Sequence, residues 1–220
     1  SMQATIESKL SKHFKHVRHD VDLCVIGGGL AGMFAAIQAA RRGLQVVLMH
    51  DRPVLGGNAS SEIRMWPRGA HGEHNQESGL YEEMLCENMY RNPDRNYSIW
   101  DSVLYGMARL EENLRVLYSC SCYDATTEGE RIVSVEGWQL TTYTVHVVHA
   151  KQFADCSGDS ILAPLVGAEY RVGREGKGEY GEDYSPAQAD RKTMGLTCMM
   201  QARETDKPVS FIPPRWAKHF

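Results

Sequence analysis

The spacing of apolar and polar residues along the chain predicts its first two strands and the helix between them. Residues 21–26 read Val-Asp-Leu-Cys-Val-Ile, a mostly apolar run typical of a strand that is buried on both faces of a parallel sheet. Residues 33–42 place apolar side chains at helical spacing, and a second short apolar run follows over 45–49. This strand–helix–strand order predicts the opening unit of an α/β fold with a parallel sheet.

The middle of the chain predicts two helices and then a group of strands. Apolar residues recur at helical spacing over 77–91 and over 98–112, and 114–118 reads as a buried strand. Three further strand-like runs predict an antiparallel β-meander inserted into the parallel arrangement, and they cover 121–127, 131–140 and 143–149. Another strand is predicted over 152–156, followed by a short helix through Leu165.

Three regions of different composition predict the domain organisation. Residues 1–20 are expected to hold the remnant of a removed tag and an amphipathic helix over 4–17, whose apolar face carries Ile6, Leu10, Phe14 and Val17. We predict a dinucleotide-binding domain over 21–172. Residues 173–220 are expected to form an exposed loop over 173–192 and the start of a truncated substrate domain, with a strand over 197–202.

Composition narrows the class of protein. The chain has 220 residues, of which 42% are hydrophobic and 24% charged, as is ordinary for a globular protein. A formal net charge of −4 argues against general nucleic-acid binding, and no apolar run reaches the roughly 18 residues of a membrane span. Six cysteines in a chain of this length do not indicate a disulfide framework. We therefore expect a cytoplasmic protein with neither nucleic acid nor membrane as a partner.

A glycine-rich turn separates the first predicted strand from the first helix. Gly27, Gly29 and Gly32 have the G-x-G-x-x-G spacing. The first permits a tight turn, the second lets a pyrophosphate approach the backbone, and the third lets the helix pack against the sheet. Asp51 follows Gly32 by 19 positions, close to the offset of about 20 that is typical of a ribose-binding carboxylate. The sequence therefore predicts a dinucleotide at the helix N-terminus.

Two later turns have the composition of ligand-binding loops. The segment 52–64 follows the second strand with a proline, two adjacent glycines and several small hydroxyl residues. In a dinucleotide-binding fold this segment leaves the carboxyl end of its strand beside the ligand crevice. Its small residues provide access and N–H donors for a planar ring and a diphosphate. The run over 155–160 is another strand-to-glycine turn.

Together these motifs resemble those of a known family. The glycine-rich turn, the segment Arg52-Pro53-x-x-Gly56-Gly57-Asn58-x-Ser60, and Asp155-Cys156-Ser157-Gly158-Asp159 followed by Gly167-Ala168-Glu169 occur in this order. The chain resembles the FAD-dependent oxidoreductases of the glutathione-reductase-like superfamily. More narrowly, it is similar to the large bacterial FAD-dependent oxidoreductases often labelled xanthan-lyase-like.

The resemblance implies a fold and a set of cofactor contacts. The fold is a Rossmann-like FAD-binding domain with a parallel sheet and an inserted antiparallel meander, incomplete at its C-terminus, since nothing after Asp159 resembles the family's returning segment. The implied contacts fall into four groups: Gly27, Gly29 and Gly32 at the diphosphate; Gly56, Gly57, Asn58 and Ser60 along the diphosphate, ribityl and isoalloxazine portions; the strand around Cys122 at the adenine; and Ser157, Gly158 and Asp159 at a second turn, with Asp159 near the ribityl or diphosphate.

The ribose contact is left with two alternatives. In this superfamily a carboxylate usually ends the second strand, but the chain has His50 there. Either Asp51 supplies the carboxylate from one position later, or His50 and Arg52 hold the ribose.

The resemblance also implies the type of reaction. A hydride passes between a small-molecule substrate and flavin N5, and the accompanying proton needs an acid or base. His71 and His74 are the candidates for that role, with Arg64 as an anion clamp. No metal site is predicted, because His71-x-x-His74 lacks a clear third ligand and His13-x-x-His16-x-x-His19 falls on the leading helix.

Two other functions share part of the pattern. An NAD-binding dehydrogenase needs the first glycine motif but not the segment around Gly56 and Gly57. A non-catalytic nucleotide-binding module would work only with a partner chain. We also expect either a homo-oligomer or a missing C-terminal portion.

Overall fold

A computed structural model describes residues 13–70, 72–195 and 203–218. The chain forms two compact units, Ser1–Tyr170 and Arg171–Phe220. The first unit contains a six-stranded sheet with the strand order β3-β2-β1-β6-β5-β4. The strands are β1 (Lys15–Ile26), β2 (Val46–Met49), β3 (Leu114–Leu117), β4 (Cys120–Glu128), β5 (Arg131–Gln139) and β6 (Thr144–Asp155).

The helices of the first unit connect these strands. They are α1 (Leu30–Arg41), α2 (Gly79–Arg91), α3 (Tyr97–Arg109) and the short α4 (Leu162–Val166). Helix α1 joins β1 to β2, and α2 and α3 lie between β2 and β3 in the chain. A single turn of 3-10 helix covers Gly57–Ala59. The helices predicted over 77–91 and 98–112 are confirmed.

The sheet is mixed. β1 pairs in parallel with both β2 and β6, and β2 pairs in parallel with β3. β4, β5 and β6 pair antiparallel. The predicted α/β fold with a parallel sheet and an antiparallel meander is therefore confirmed, and β6 belongs to both parts.

Two strands are longer than predicted. β1 begins at Lys15, so the predicted amphipathic helix is wrong over 15–17, and residues 1–12 lie outside the described residues. Residues 15–20 pair with 144–149 of β6, which supplies backbone partners that helical spacing of side chains does not reveal. β6 is one strand rather than the two predicted over 143–149 and 152–156, because β1 runs beside it almost throughout.

The core lies on both faces of the sheet. One cluster contains Val25 and Leu48 with residues of α1, α2 and α3, among them Met33, Met84 and Trp100. The other contains the neighbouring strand residues Cys24, Ile26, Val47 and Met49, packed with Val135, Val148 and Leu162. Adjacent strand residues point to opposite faces, so β1 and β2 contribute to both clusters, as the apolar runs predict.

The second unit has little regular structure among its described residues. It contains the short helix α5 (Lys177–Tyr180) and an antiparallel bridge between Arg174 and Asp190. The Arg174 guanidinium pairs with the Asp190 carboxylate and lowers its pKa to about 2. The strand predicted over 197–202 lies outside the described residues. The predicted domain boundaries at 20 and 172 stay predictions.

Candidate functional site

The carboxyl ends of the parallel strands meet at one edge of the sheet, and a cleft of about 670 Å³ opens there. Three turns line it, and each follows a different strand. They are the turn 27–31 after β1, the segment 50–59 after β2 and the turn 156–158 after β6. This edge is the place where open α/β sheets bind ligands.

The turn after β1 and the first turn of α1 each contain a glycine whose position leaves no room for a side chain. Gly27 has φ +99°, and a Cβ atom there would lie 2.3 Å from the carbonyl oxygen of Cys156. A Cβ atom on Gly32 would lie 1.9 Å from the carbonyl oxygen of Gly27. Gly32 therefore lets α1 pack onto the turn, and it does not line the cleft. Leu30 and Ala31 do line it, at the end of α1 where first-turn N–H groups lack helical acceptors.

The loop after β2 contacts the first turn directly. The N–H of Gly56 donates to the carbonyl oxygen of Gly28 at 2.8 Å, and Gly29 and Gly56 form an isolated parallel bridge. A Cβ atom on Gly57 would lie 3.0 Å from the Cα atom of Gly29. The two glycine turns therefore form one continuous backbone surface without side chains between them.

Helix α3 supports this loop from behind. Nε1 of the buried Trp100 donates to the carbonyl oxygen of Ala59 at 2.7 Å, and the N–H of Ser61 donates to Asp101 at 3.0 Å. Ser60 is buried, and its hydroxyl accepts from the N–H of Glu62 at 3.3 Å. Ser60 therefore lies beneath the cleft rather than along it. The roles of Trp100 and Asp101 are not predictable from the sequence, because the helical pattern places them only on a helix and does not show which loop they contact.

The side chain at the end of β2 forms hydrogen bonds to two backbone groups. His50 is 4% exposed, its Nδ1 accepts from the N–H of Gly28 at 2.9 Å, and its Nε2 donates to the carbonyl oxygen of Val54 at 2.8 Å. Because an N–H can only donate and a carbonyl can only accept, these partners require the neutral tautomer with the proton on Nε2. Burial lowers the pKa of His50 and favours the same neutral form.

The two residues after His50 make different contacts: Arg52 is paired with a carboxylate, whereas Asp51 is largely exposed. The guanidinium of Arg52 forms two hydrogen bonds with the carboxylate of Glu62, at 2.7 and 2.9 Å, and this contact lowers the pKa of Glu62. The Asp51 side chain is 61% exposed and lies 3.5 Å from Nδ1 of His50, whose lone pair already accepts from Gly28. Asp51 therefore presents a carboxylate to the cleft.

The turn after β6 is fixed by a carboxylate. Asp155 accepts from the N–H and the hydroxyl of Ser157, at 3.0 and 2.7 Å, and from the N–H of Leu162 at 2.8 Å. The hydroxyl of Ser157 in turn accepts from the N–H of Ile161 at 3.1 Å. These bonds hold Gly158, at φ +82°, beside the cleft. Asp155 belongs to the predicted motif, but its role in fixing this turn is visible only in the structure.

A smaller cavity of about 230 Å³ adjoins the cleft and shares Gly27, Asp51 and Ser157 with it. Its other wall includes Met49, Ile161 and residues 120–122 of β4. Burial raises the pKa of Cys120 to about 12 and that of Cys122 to about 11. Both thiols therefore stay protonated at neutral pH and form part of an apolar wall rather than a reactive pair.

The structure brings together most of the predicted cofactor residues. Those that line the two cavities are Gly27, Gly29, His50, Asp51, Arg52, Gly56, Gly57, Asn58, Cys122, Ser157, Gly158 and Asp159. Gly32 and Ser60 do not line either cavity. Both residues are buried beneath the turns, so they support the walls of the cleft without being exposed to it.

The predicted catalytic residues do not line the cleft where they are described. Nε of Arg64 donates to the carbonyl oxygen of Ser61 at 3.0 Å, and its guanidinium lies 4.8 Å from the ring centre of Tyr97. His74 is 91% exposed and lies 3.5 Å from Glu73. His71 lies outside the described residues. Their catalytic roles stay predictions.

The described residues were also compared with the requirements of a metal site and of a membrane-spanning helix, and they meet neither. Over residues 13–70, 72–195 and 203–218, no group of three or more histidine, cysteine or acidic side chains has the arrangement of a metal site. In the same part of the chain, none of the helices has the length and apolar character to cross a membrane.

Comparison with known proteins identifies the family. The sequence model of the family described as FAD dependent oxidoreductase matches residues 22–218. The chain belongs to this family. The predicted cofactor, FAD, is thereby confirmed. The residues present fit it, because Gly29 and Gly57 bring the two turns into backbone contact at the cleft beside the N-terminus of α1, and a glycine backbone surface at a helix N-terminus suits a diphosphate.

Individual relatives match shorter segments. Glycerol-3-phosphate dehydrogenase of Mycobacterium leprae (strain TN) is 39% identical over 66 residues, which are 30% of this chain and 11% of that protein. The methyltransferase TrmFO of Roseobacter denitrificans is 38% identical over 72 residues, 33% of this chain and 12% of that protein. The matches thus span about a tenth of the length of these curated relatives.

Solved structures match with low sequence identity. The fumarate reductase subunit of the E. coli quinol fumarate reductase has a TM-score of 0.47 and 13% identity, covering 63% of this chain and 32% of that chain. The chondrochloren halogenase of a myxobacterium has a TM-score of 0.44 and 23% identity, covering 64% of this chain and 38% of that chain.

Proposed function

We propose that the joined glycine turns hold the diphosphate of FAD and that the enzyme containing this chain is a flavin-dependent oxidoreductase acting on a small molecule. The observation that carries the proposal is the backbone contact of Gly56 with Gly28, beside the N-terminus of α1. This contact places two sets of backbone N–H groups and one helix N-terminus around the same cleft. Such an arrangement favours an anion without any charged side chain.

Asp51 is proposed to bind the adenosine ribose. Its carboxylate lines both the cleft and the adjoining cavity, where the ribose would connect the diphosphate to the adenine. His50 donates its one proton to Val54, and Arg52 pairs with Glu62, so neither has the acceptor pattern that two ribose hydroxyls require. The alternative that His50 and Arg52 hold the ribose is therefore less well supported.

The smaller cavity is the proposed adenine site. Its walls are the side chains of Met49 and Ile161 and the segment 120–122 of β4. The protonated thiols of Cys120 and Cys122 provide an apolar surface for the ring. Backbone groups of the same segment would form hydrogen bonds with the edge of the adenine.

The chemistry that FAD supplies when bound is transfer of a hydride between a substrate carbon and flavin N5. The residues of this chain bind and orient the cofactor. Ile63, Met65 and Pro67 add apolar side chains to the lining of the cleft. Arg64, His74 and His71 follow in the same segment of the chain. They are proposed to bind an anionic substrate group and to transfer the proton, and their place in the sequence is the support for this.

Finer assignments rest on the order of the motifs. We place the chain in the glutathione-reductase-like superfamily, and within it in the large bacterial group often labelled xanthan-lyase-like, because three motifs of that group occur in order. A cytoplasmic location is proposed because the five described cysteines are all free, as in a reducing compartment. A homo-oligomer or a further C-terminal portion stays a prediction.

The experiment that tests the proposed function is identification of the bound cofactor. The protein is purified, denatured, and the released small molecule is identified by mass spectrometry, while the melting temperature is measured with added FAD and with added NAD. FAD release and stabilisation by FAD support the proposal. A colourless protein that is stabilised by NAD and not by FAD would indicate a nicotinamide-binding dehydrogenase instead.

A further inference from the structure

His50 lies where two loops of the cleft approach each other, and its ring touches both. Nδ1 accepts from the N–H of Gly28 in the turn after β1, and Nε2 donates to the carbonyl oxygen of Val54 in the loop after β2. The fit is tight on the side of the first turn, because a Cβ atom on Gly28 would lie 2.6 Å from Cγ of His50. One buried imidazole therefore joins the phosphate-binding turn to the loop that carries Gly56 and Gly57.

We propose that His50 is a positioning residue, which holds the two glycine turns at the spacing that the cofactor diphosphate needs and releases that spacing when its ring takes up a second proton. The inference rests on the proposed function, since the arrangement of the turns matters for the cofactor only if FAD binds against their joined surface. His50 is not proposed to touch the cofactor through its ring nitrogens. Both of them are occupied by backbone groups.

Protonation of the His50 ring removes its hydrogen bond to Gly28. An imidazolium carries a hydrogen on both nitrogens, so Nδ1 would then point a donor at the N–H of Gly28, which is also a donor. The bond to Val54 survives protonation, but the bond to the phosphate-binding turn does not. The effect is therefore a loss of contact on one side, at the turn that would face the diphosphate.

The charged groups around His50 oppose one another. Asp51 lies 3.5 Å from Nδ1, and Asp51 and Glu62 both favour the imidazolium. Arg52 disfavours it, and Glu62 is itself bound to Arg52. Burial of the ring outweighs these contributions and favours the neutral form at neutral pH. The hydrogen bond between His50 and Gly28 is therefore lost at acidic pH.

The test begins with the protein free of FAD. Selective ¹⁵N labelling of histidine identifies the His50 signals as those missing from the His50→Gln variant. The inference predicts an unprotonated Nδ1 and a protonated Nε2 at pH 7.5, and slower hydrogen exchange of the Gly28 amide in the wild type than in His50→Leu. A protonated Nδ1 at that pH, or equal exchange of the Gly28 amide in the two proteins, overturns it.

The second readout is the dissociation constant of FAD between pH 8 and pH 4.5. Glutamine carries one acceptor and one donor but does not titrate, so His50→Gln should keep the affinity within about threefold at pH 8 and lose less of it in acid than the wild type. His50→Leu, which can make neither bond, should bind about tenfold more weakly at pH 8. Superimposed pH curves for the wild type and His50→Gln overturn the inference.

The two proposals fail separately. If the wild-type chain binds no FAD at any pH, the proposed function fails, while the ¹⁵N measurement still decides whether His50 joins the two turns. If FAD binds tightly and equally to the wild type and His50→Leu, the function stands and the positioning role is wrong.

Discussion

Gly57 and Gly29 face each other so closely that a Cβ atom on Gly57 would lie 3.0 Å from the Cα atom of Gly29. The two residues belong to different loops, one after β2 and the other after β1. Their contact joins the two glycine-rich turns into one surface beside the N-terminus of α1. The predicted FAD site depends on this contact.

Replacing Gly57 with alanine should therefore weaken FAD binding. The new methyl group would push the turns apart, and Gly57 has φ +56°, a conformation that costs alanine about 1 kcal/mol. We expect a loss of about tenfold in affinity, measured by quenching of flavin fluorescence. Gly129→Ala is the matched control, because Gly129 also has a positive φ, +62°, but nothing lies within 4 Å of its Cβ position. Wild-type affinity of Gly57→Ala would show that the contact is not needed.

Replacing Gly32 should lower the stability of the folded chain, even when no cofactor is present. A Cβ atom there would lie 1.9 Å from the carbonyl oxygen of Gly27, so α1 must shift away from the turn. We expect Gly32→Ala to lower the free energy of unfolding by about 2–4 kcal/mol in urea titrations without cofactor.

The control for this prediction is a second glycine inside a helix. Gly106 lies in α3, and its Cβ position has only Arg91 Nη1 nearby, at 3.5 Å. Gly106→Ala should be neutral or should stabilise by about 0.5–1 kcal/mol, because alanine favours a helix. Equal stability of the two variants would contradict the role assigned to Gly32.

Asp51 should bind the ribose more strongly than Arg52 does. Asp51→Asn keeps the shape but removes the charge, and we expect about tenfold weaker FAD binding, since hydrogen bonds to a carboxylate are the stronger kind. Arg52→Gln should cost less, because Arg52 is engaged with Glu62. Asp94→Asn, at an exposed position distant in sequence from all three turns, serves as the control. A larger loss for Arg52→Gln than for Asp51→Asn would favour the alternative contact.

A buried pair of histidines on β1 and β6 should make the fold sensitive to acid. Nε2 of His19 lies 2.9 Å from Nδ1 of His146, and Nε2 of His146 donates to Oε1 of Gln139 at 3.0 Å. The pKa of His146 is lowered to about 4, mainly by burial, with the charges of His19 and Arg115 acting in the same direction. The pKa of His19 is lowered too, again mainly by burial.

The sign of the effect follows from the unfolded chain, where histidine has a pKa of about 6.5. Below that pH the unfolded state takes up protons that the folded state does not, so stability is complete above pH 6.5 and falls toward pH 4. We expect the free energy of unfolding to be roughly 2 kcal/mol lower at pH 4.5 than at pH 7. His146→Gln should reduce this difference, and His74→Gln, at an exposed position, should not. An unchanged difference in His146→Gln would contradict the assignment.

Much of the fold follows from the sequence because its apolar runs are long and its turns are marked by glycine. The strand 21–26, the helix after Gly29 and the three meander strands lie where the pattern predicts them. The first half of β1 does not, because Lys15, Arg18 and Asp20 hide its alternation, and its partner in β6 lies more than a hundred residues away. Pairing at such a distance leaves no local signal in the sequence.

The cofactor site was predictable to a similar extent. The motif spacings identify the glycines, but they do not distinguish a glycine that faces the cleft from one that lies beneath it, as Gly29 and Gly32 show. The role of His50 could not be predicted, since it depends on two backbone groups that only the folded loops bring to its ring. The support from Trp100 comes from a helix 41 residues away in sequence.

The most direct test of the central claim is a crystal structure of the chain with FAD bound. We expect the diphosphate to lie against Gly29, Gly57 and the N-terminus of α1, with the adenosine ribose at Asp51. A structure in which FAD lies elsewhere, or in which the loop around Gly57 has moved away from Gly29, would contradict it.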